Sequence, residues 1–155
     1  MVWPMITVKG LDELRAKAGE HLGYSDWQEV TQDQVNLFAD ATGDHQWIHV
    51  DVERAKHGPF GGTIAHGYLT LSLGPTLLSQ QIVKIEGMAM GLNYGCNKVR
   101  FPSPVPVGSK LRLGASLDSV QDVEGGVQAI ITLTFELEGG SKPACVAEVV
   151  YRYFD

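Results

Sequence analysis

The sequence predicts a single α+β domain in which helices occupy the first half of the chain and an antiparallel sheet the second. Apolar and polar residues alternate with a period of two through the last third of the chain, as they do in strands buried on one face. A strongly apolar segment over residues 64–83 precedes them and indicates a buried helix against which such a sheet can pack. The chain has 155 residues, of which 44% are hydrophobic and 19% charged. That is enough for one core, so we assign residues 1–155 to one domain.

The first part of the chain predicts two helices. Apolar residues recur at helical spacing over residues 11–21, where we expect a short amphipathic helix. Thr31, followed three residues later by Gln34, forms the pattern of a capping box that begins a second helix. Gly43 suits the left-handed conformation in which many helices end, so the second helix is expected to run from Thr31 to Gly43.

A loop rich in glycine and proline follows over residues 57–62, and the apolar segment of residues 64–83 comes next. This segment is apolar on nearly every side of a helix, which predicts that the helix is buried all round. Gly74-Pro75 lies inside it and is expected to kink the helix or end it early. Proline lacks an N–H group and clashes with the preceding turn.

Four strands are predicted after this helix. The first covers residues 88–101, where Gly91 and Gly95 suggest bulges or bends. The other three show the alternation of half-buried strands and are separated by turns at Gly125-Gly126 and Gly139-Gly140. Their alternating segments are residues 111–117, 127–137 and 147–153.

Charge and targeting signals exclude several classes of protein. The formal net charge of −6 argues against a nucleic-acid partner, which usually requires a basic face. The start of the chain lacks the basic and apolar regions of a signal peptide, and no apolar stretch reaches the roughly 18 residues of a membrane span. We therefore expect a cytoplasmic protein that does not insert into a membrane. The two cysteines, Cys96 and Cys145, lack the spacing of metal ligands and are expected to be buried free thiols.

Asp44 and His49 are the candidate acid–base pair. On a regular helix, two residues five apart would point about 140° away from each other. The two side chains therefore converge only if the chain leaves the helix, as Gly43 predicts. A carboxylate beside an imidazole favours the charged ring, fixes its tautomer, and can help to hold a water molecule and transfer its protons. The alternative is that Asp44 is a turn residue and His49 a hydrogen-bonded core group, and spacing alone does not decide between them.

The segment Ala65-His66-Gly67 opens the apolar helix. The first amides of a helix have no partners within it, and the absence of a side chain at Gly67 lets a ligand oxygen approach its N–H group closely. Such an amide can polarise a thioester carbonyl. The alternative is that Gly67 only permits tight packing where the helix begins.

His45 and His49 form an H-x-x-x-H pair, which can bind zinc when both residues lie on one helix. Gln46 stands where a metalloprotease carries its glutamate base, and the sequence offers no third ligand nearby. Because a zinc site needs three or four protein or solvent ligands in defined geometry, we expect no metal site.

Three segments resemble the MaoC-like hydratases, which are the (R)-specific enoyl-CoA hydratases also called hydratase 2. They are ATGDHQWIHVD (residues 41–51), IAHG (residues 64–67) and FPSPVPVG (residues 101–108). Their order and spacing are similar to the family's, and the resemblance covers nearly the whole chain. It is strongest to the single-domain actinobacterial members and to the nodulation protein N group. The resemblance implies a hotdog fold, in which an antiparallel sheet wraps around a long central helix.

The resemblance also implies a chemistry. It places the family's catalytic aspartate at Asp44, its catalytic histidine at His49, and the N–H group that receives the thioester oxygen at Gly67. The implied reaction is the reversible, (R)-specific hydration of a trans-2-enoyl-CoA to a (3R)-hydroxyacyl-CoA. It is carried out by a homodimer that needs no cofactor, coenzyme A being part of the substrate. The chain departs from the family at Gln46-Trp47, where the common motif has Asn-Pro, and this departure bears on acyl-chain preference.

Two other functions stay open. An acyl-CoA thioesterase would use a carboxylate to activate water at the thioester carbonyl, and the hotdog fold accommodates both chemistries. A weakly active acyl-CoA-binding protein is the second alternative, which the Gln46-Trp47 departure favours. The order of Asp44, His49 and then His66-Gly67 favours the hydratase.

Overall fold

The computed structural model describes residues 2–155. In chain order the elements are β1 (Ile6–Lys9), α1 (Gly10–Ala16), β2 (His21–Tyr24), β3 (Gln28–Glu29), α2 (Gln32–Thr42), α3 (Trp47–Val50), α4 (Val52–Ala55), α5 (Gly67–Ser72), α6 (Gly74–Leu77), a π-helical turn (Leu78–Ile82), β4 (Val83–Glu86), β5 (Met90–Arg100), β6 (Lys110–Val123), β7 (Gly126–Leu137) and β8 (Cys145–Phe154). The long strands follow the helices, as the sequence patterns predict.

Six of the strands form one antiparallel sheet. β2, β6, β7, β8 and β5 follow one another across it, and β3 also pairs with β6. β5 therefore lies at one edge and has only β8 as a neighbour. Its register shifts between Asn93 and Gly95, which confirms the irregularity predicted at Gly95, whereas Gly91 pairs regularly with Tyr153.

The inner face of this sheet forms the core. The alternation predicted for β6, β7 and β8 is confirmed, because the residues expected to face inward are buried, except that Leu137 at the end of β7 is only partly buried. They are Leu111, Leu113, Ala115, Leu117, Val127, Ala129, Ile131, Leu133, Phe135, Ala147, Val149, Tyr151 and Tyr153. Removing this apolar surface from water is the main driving force for folding.

The central helix lies against that inner face and runs from Gly67 to Ile82 through α5, α6 and the π-helical turn. It begins three residues later than the start predicted at Ile64. His66 has an extended backbone with ψ of 136°, and Ile64 instead forms a β-bridge with Pro106. The helix therefore starts at the glycine that the sequence singled out.

The break predicted at Gly74-Pro75 is confirmed, since α5 ends at Ser72 and α6 begins at Gly74. At the far end Val83 opens β4 and is no longer helical. The prediction of a helix buried all round is wrong for the single chain, because the side of α5 that carries Tyr68 faces solvent.

The helix predicted over residues 11–21 is shorter than expected. α1 ends at Ala16, a turn with Gly19 at a positive φ of 90° follows, and His21 begins β2. Leu22 is buried as the helical spacing suggested, but it reaches the core from a strand that pairs with β6. A further parallel pair, β1 with β4, lies outside the main sheet and was not predicted.

The second helix has the predicted ends. The hydroxyl of Thr31 accepts a hydrogen bond from the Gln34 N–H group at 3.2 Å, so Thr31 caps α2. Gly43 ends it in the left-handed conformation with φ of 82°. The chain is thereby released from the helix immediately before Asp44.

An antiparallel sheet around a central helix is the hotdog fold, so the predicted fold class is confirmed. Among residues 2–155, no helix combines the length and the apolar character that crossing a membrane requires. Both cysteines are free thiols, but only Cys145 is buried. Cys96 is exposed because it lies on the edge strand β5, which corrects the expectation for that residue.

Candidate active site

The candidate site lies where three segments meet: the loop after α2, the short helix α3, and the residues that open α5. Asp44 is in the loop, His49 is on α3, and His66 immediately precedes α5. A carboxylate oxygen of Asp44 and one ring nitrogen of each histidine lie within 4.8 Å of one another. The predicted convergence of Asp44 and His49 is therefore confirmed, while their catalytic role stays a prediction.

The ring of His49 is buried, with 7% of its surface exposed, and its orientation is fixed by the backbone. Its Nδ1 lies 2.7 Å from the carbonyl oxygen of Ile64. A carbonyl oxygen can only accept a hydrogen bond, so Nδ1 carries the proton. In the neutral ring the lone pair is then on Nε2, which is the form that can accept a proton from a water molecule.

The backbone of His49 is held by a second set of hydrogen bonds. The side-chain amide of Gln32 donates to the His49 carbonyl oxygen at 2.8 Å, and its own carbonyl accepts from the hydroxyl of Thr63 at 2.6 Å. Gln32 is on α2 and Thr63 precedes α5. These bonds therefore join the three segments of the site and restrict the movement of α3.

His66 belongs to the site, although the sequence patterns assigned it no role. Its ring stacks on that of His49, with 3.8 Å between centroids and 23° between planes. Its Nε2–H group donates to the backbone carbonyl of Asp44 at 2.9 Å, and the Asp44 carboxylate is 4.0 Å away. His66 is buried, with 3% of its surface exposed, and it contacts both candidate catalytic residues from the protein interior. Its position beside Gly67 was the one signal that could have pointed to it.

Asp44 faces the open side of this cluster, with 53% of its side chain exposed. One carboxylate oxygen accepts a long hydrogen bond of 3.4 Å from the N–H group of Gln46, as turn residues do. The turn and the acid–base interpretations are thus compatible, because the other oxygen still faces His66. A half-exposed carboxylate beside buried rings suits a group that meets both water and substrate.

Gly67 shows both of the features that its place in the sequence suggested. Its N–H group is the first of α5 and has no hydrogen-bond acceptor within residues 2–155, so it is free for a ligand oxygen. A Cβ atom at this position would lie 3.0 Å from the ring of Phe101. Glycine is therefore also required for packing between the start of α5 and the segment that follows β5.

His45, the possible zinc ligand, and Trp47, part of the departure from the family motif, both make contacts outside the cluster of Asp44, His49 and His66. His45 is exposed and pairs with Asp40 at 2.9 Å, a contact that raises the pKa of the His45 ring. The H-x-x-x-H pair does not form a cation site, because His45 is not part of the cluster around His49. Trp47 stacks under the Arg54 guanidinium, 4.2 Å from the ring centroid, and fills the space beside Gly58. It anchors the glycine-rich loop to α3.

Asp44, His49 and His66 are close enough together to be considered as ligands of a metal ion. His66 fits this role poorly, because its Nε2–H group already donates to the Asp44 carbonyl. Freeing that nitrogen for a cation would move the proton to Nδ1, which is buried without a hydrogen-bond partner in the described chain. An N–H group left unpaired in the interior carries a substantial desolvation penalty.

Comparison with known proteins places this site in a family. The family model described as MaoC like domain matches residues 13–136. The 3-hydroxyacyl-thioester dehydratase Z of Mycobacterium tuberculosis is 57% identical over 150 residues, covering 96% of this chain and 99% of that protein. Nodulation protein N of Rhizobium leguminosarum bv. viciae is 46% identical over 140 residues, covering 88% and 86%. The solved (R)-hydratase from A. caviae involved in PHA biosynthesis superposes with a TM-score of 0.71 at 25% identity, covering 86% of this chain and 94% of that one.

The family model spans the whole candidate site, from the loop that carries Asp44 to the free amide of Gly67. The relatives match along almost their entire length, so the similarity is not confined to one motif. The chain therefore belongs to the MaoC-like domain family and is an enzyme of the hydro-lyase class.

Proposed function

We propose that this hydro-lyase catalyses the reversible, (R)-specific hydration of trans-2-enoyl-CoA to (3R)-hydroxyacyl-CoA. The observation that carries the proposal is a carboxylate and an imidazole within 4.8 Å of each other, next to an unpaired helix amide. The names of the dehydratase and the (R)-hydratase to which the chain is similar support the same substrate class.

In the hydration direction, Asp44 and His49 hold one water molecule between them. Nε2 of His49 is available as a proton acceptor because its Nδ1–H group is committed to the Ile64 carbonyl. The carboxylate of Asp44 accepts the second hydrogen of the water and fixes its direction of attack. The exposed side of Asp44 is where the water and the alkene enter.

The thioester oxygen meets the N–H group of Gly67, which stabilises the enolate-like charge that develops during attack. The water oxygen bonds to the β-carbon as one O–H bond of the water breaks. The released proton passes to Nε2 of His49, which delivers it to the α-carbon, where the alkene's electron pair forms the new C–H bond. Asp44 and His49 return to their starting protonation. Because both groups lie on one side of the alkene, addition is syn, and the reverse reaction dehydrates a 3-hydroxyacyl thioester.

This mechanism requires no metal ion or other cofactor, since the Asp44–His49 pair itself orients the water and transfers its proton. Coenzyme A is the part of the substrate by which the enzyme binds it. Because acyl-CoA thioesters are the proposed substrates, we propose a cytoplasmic location. The poor fit of His66 to a cation is consistent with chemistry that depends on side chains alone.

A homodimer is part of the proposal. β5 is the edge strand of the sheet and leaves Met90, Leu92 and Tyr94 exposed. This apolar surface continues to the start of the central helix, because Phe101 follows β5 and packs edge-on against Tyr68 at 5.9 Å between centroids. A second copy that pairs along β5 would cover both regions, and Gly67 would lie beside the interface.

The reaction is tested by following the loss of enoyl absorbance with crotonyl-CoA, with chiral analysis of the product. We expect hydration to the (3R) alcohol. An (S) product would contradict the proposed stereochemistry. Release of free thiol from a saturated acyl-CoA, without hydration of the enoyl-CoA, would favour a thioesterase. Binding without either reaction would leave an acyl-CoA-binding protein.

A further inference from the structure

Two adjoining cavities lie between the central helix and the edge of the sheet formed by β8 and β5. Their volumes are about 340 Å³ and 270 Å³, and both are lined by Pro75, Asn93 and Tyr151. Tyr153 lines the larger one. Because they share these three walls, they lie next to each other along the helix, and we treat them together as one groove.

The groove starts close to the candidate site. Leu71, Pro75 and Leu78 line it, and they follow Gly67 at intervals of four, four and three residues. Residues at this spacing fall along one side of a helix, so the side that begins at Gly67 continues into the groove. Pro75 is eight residues, or about 12 Å of helix, from Gly67.

The walls of the groove carry two tyrosines whose hydroxyl groups are free. Tyr151 and Tyr153 are 6% and 7% exposed, and their ring centroids are 6.0 Å apart. Within residues 2–155, neither hydroxyl makes a hydrogen bond to another residue, and neither is among the fully buried unpaired atoms, so both can be reached by water. Gly91 makes room for one of them, because a Cβ atom there would lie 3.1 Å from the Tyr153 ring. The side chains are therefore held in place while their polar ends stay unpaired.

These hydroxyls act as neutral donors. Burial raises the pKa of Tyr151 to about 12, and burial likewise raises the pKa of Tyr153. A plain alkyl chain packed against them would exclude water and leave both groups without partners, which is costly in a protein interior. A site with such groups discriminates against a substrate that lacks the matching polar atom.

We propose that the groove binds an acyl chain that carries a hydrogen-bonding oxygen substituent about ten carbons from the thioester, held by the hydroxyls of Tyr151 and Tyr153. The position follows from the 12 Å of helix between Gly67 and Pro75, which lines both cavities together with Tyr151. In an extended zigzag chain each carbon–carbon bond of about 1.52 Å advances about 1.25 Å along the chain, so this length corresponds to about ten carbons. This inference rests on the proposed function, because it assumes that the thioester carbonyl lies at Gly67.

The test compares trans-2-decenoyl-CoA with 10-hydroxy-trans-2-decenoyl-CoA as substrates of the full-length enzyme. We expect kcat/KM at least tenfold higher for the hydroxylated chain. In Tyr151→Phe, Tyr153→Phe and the double variant, the rings remain and only the hydroxyls are lost, so this preference should fall towards one. Tyr24→Phe is the matched control, because Tyr24 lies on β2 at the opposite edge of the sheet and stacks under Arg112, away from the groove and from β5. Its preference should equal that of the unaltered enzyme.

Calorimetric binding of decanoyl-CoA and 10-hydroxydecanoyl-CoA provides a second readout that does not depend on turnover. A failure to hydrate crotonyl-CoA would contradict the proposed function, while the binding preference would still test the groove. Equal use and equal binding of the two chains would overturn this inference alone. So would a preference for the hydroxylated chain that persists in the double phenylalanine variant.

Discussion

At the scale of single residues, the carboxyl group of Asp44 can be altered with little disturbance, because more than half of its side chain is exposed. Asp44→Asn keeps the size of the side chain and removes the negative charge that orients the water. We expect kcat for crotonyl-CoA to fall by about 10²- to 10⁴-fold, as for loss of an acid–base group. His49→Gln should have a similar effect, and the double variant should be little worse than either, because the two act as a unit.

Asp40→Asn is the control for this experiment. Asp40 is an exposed carboxylate on the same helix–loop segment, and it contacts His45 and not the site. Its removal should leave kcat within about twofold of the starting value, as expected for a surface change remote from the chemistry. Full turnover in Asp44→Asn would show that the water is activated elsewhere.

His66 is expected to act as a positioning residue, since its ring supports His49 and its N–H group holds the Asp44 backbone. His66→Leu removes that hydrogen bond and should lower kcat by about 10- to 100-fold, the range that small misplacements of reacting groups cost. KM should change little. His66→Gln keeps a side-chain N–H donor and should recover part of the loss. If the two variants were equally impaired, the hydrogen bond to Asp44 would not be the reason.

Residue chemistry explains why some of the site could be predicted. Asp44, His49 and Gly67 could be selected as candidates because their residue types suit proton transfer or a free amide and Gly43 marks the end of α2, but only the family resemblance assigned their roles. His66 could not be assigned a role, because whether it faces His49 depends on how α3 packs against the start of α5. That packing is set by contacts between segments distant in sequence, such as Gln32 with Thr63.

At the scale of elements, local signals predicted α2 well and α1 badly. The ends of α2 are set by its own capping residues, which act within one turn. α1 was predicted five residues too long because His21 and its neighbours are taken up by β2, which pairs with β6 more than 90 positions along the chain. The parallel pairing of β1 with β4 is likewise non-local, and helical periodicity contains no information about it.

The junction between α5 and α6 gives a prediction about stability. A Cβ atom at Gly74 would lie 2.7 Å from Cδ1 of Leu133, which is fully buried among other core side chains. Gly74→Ala gains about 1 kcal/mol of helix propensity but overpacks the core at a cost of about 1–3 kcal/mol. We expect a net loss of unfolding free energy, measured as a lower urea midpoint with an unchanged slope.

Gly62→Ala provides the comparison for this variant. Gly62 lies in the loop before α5, and a Cβ atom there would have no neighbour within 4 Å. Its urea midpoint should stay close to that of the unaltered protein. A Gly74→Ala protein as stable as Gly62→Ala would mean that Leu133 can repack, and that the helix does not lie as tightly on β7 as the structure indicates.

At the scale of the whole molecule, the apolar sequence of the central helix predicts more buried surface than a single chain provides. The central helix is apolar on nearly every side, yet Tyr68 is 68% exposed. Met90 and Leu92, on β5, are exposed as well. An exposed apolar edge strand is a site for pairing with another chain. The sequence pattern and the exposed surface agree if a second copy covers both regions.

Leu92→Lys tests this arrangement, because it places a charge on the edge strand without altering the candidate site. We expect light scattering after size exclusion to show a dimer for the unaltered protein and a shift towards monomer for the variant. Leu37→Lys introduces the same charge at an even more exposed leucine on α2, away from β5, and should remain dimeric. The hydration rate should fall with the dimer fraction, because the surface beside Gly67 loses its cover when the copies separate. A monomer that is fully active, or a dimer unaffected by Leu92→Lys, would show that the active unit does not depend on the β5 edge.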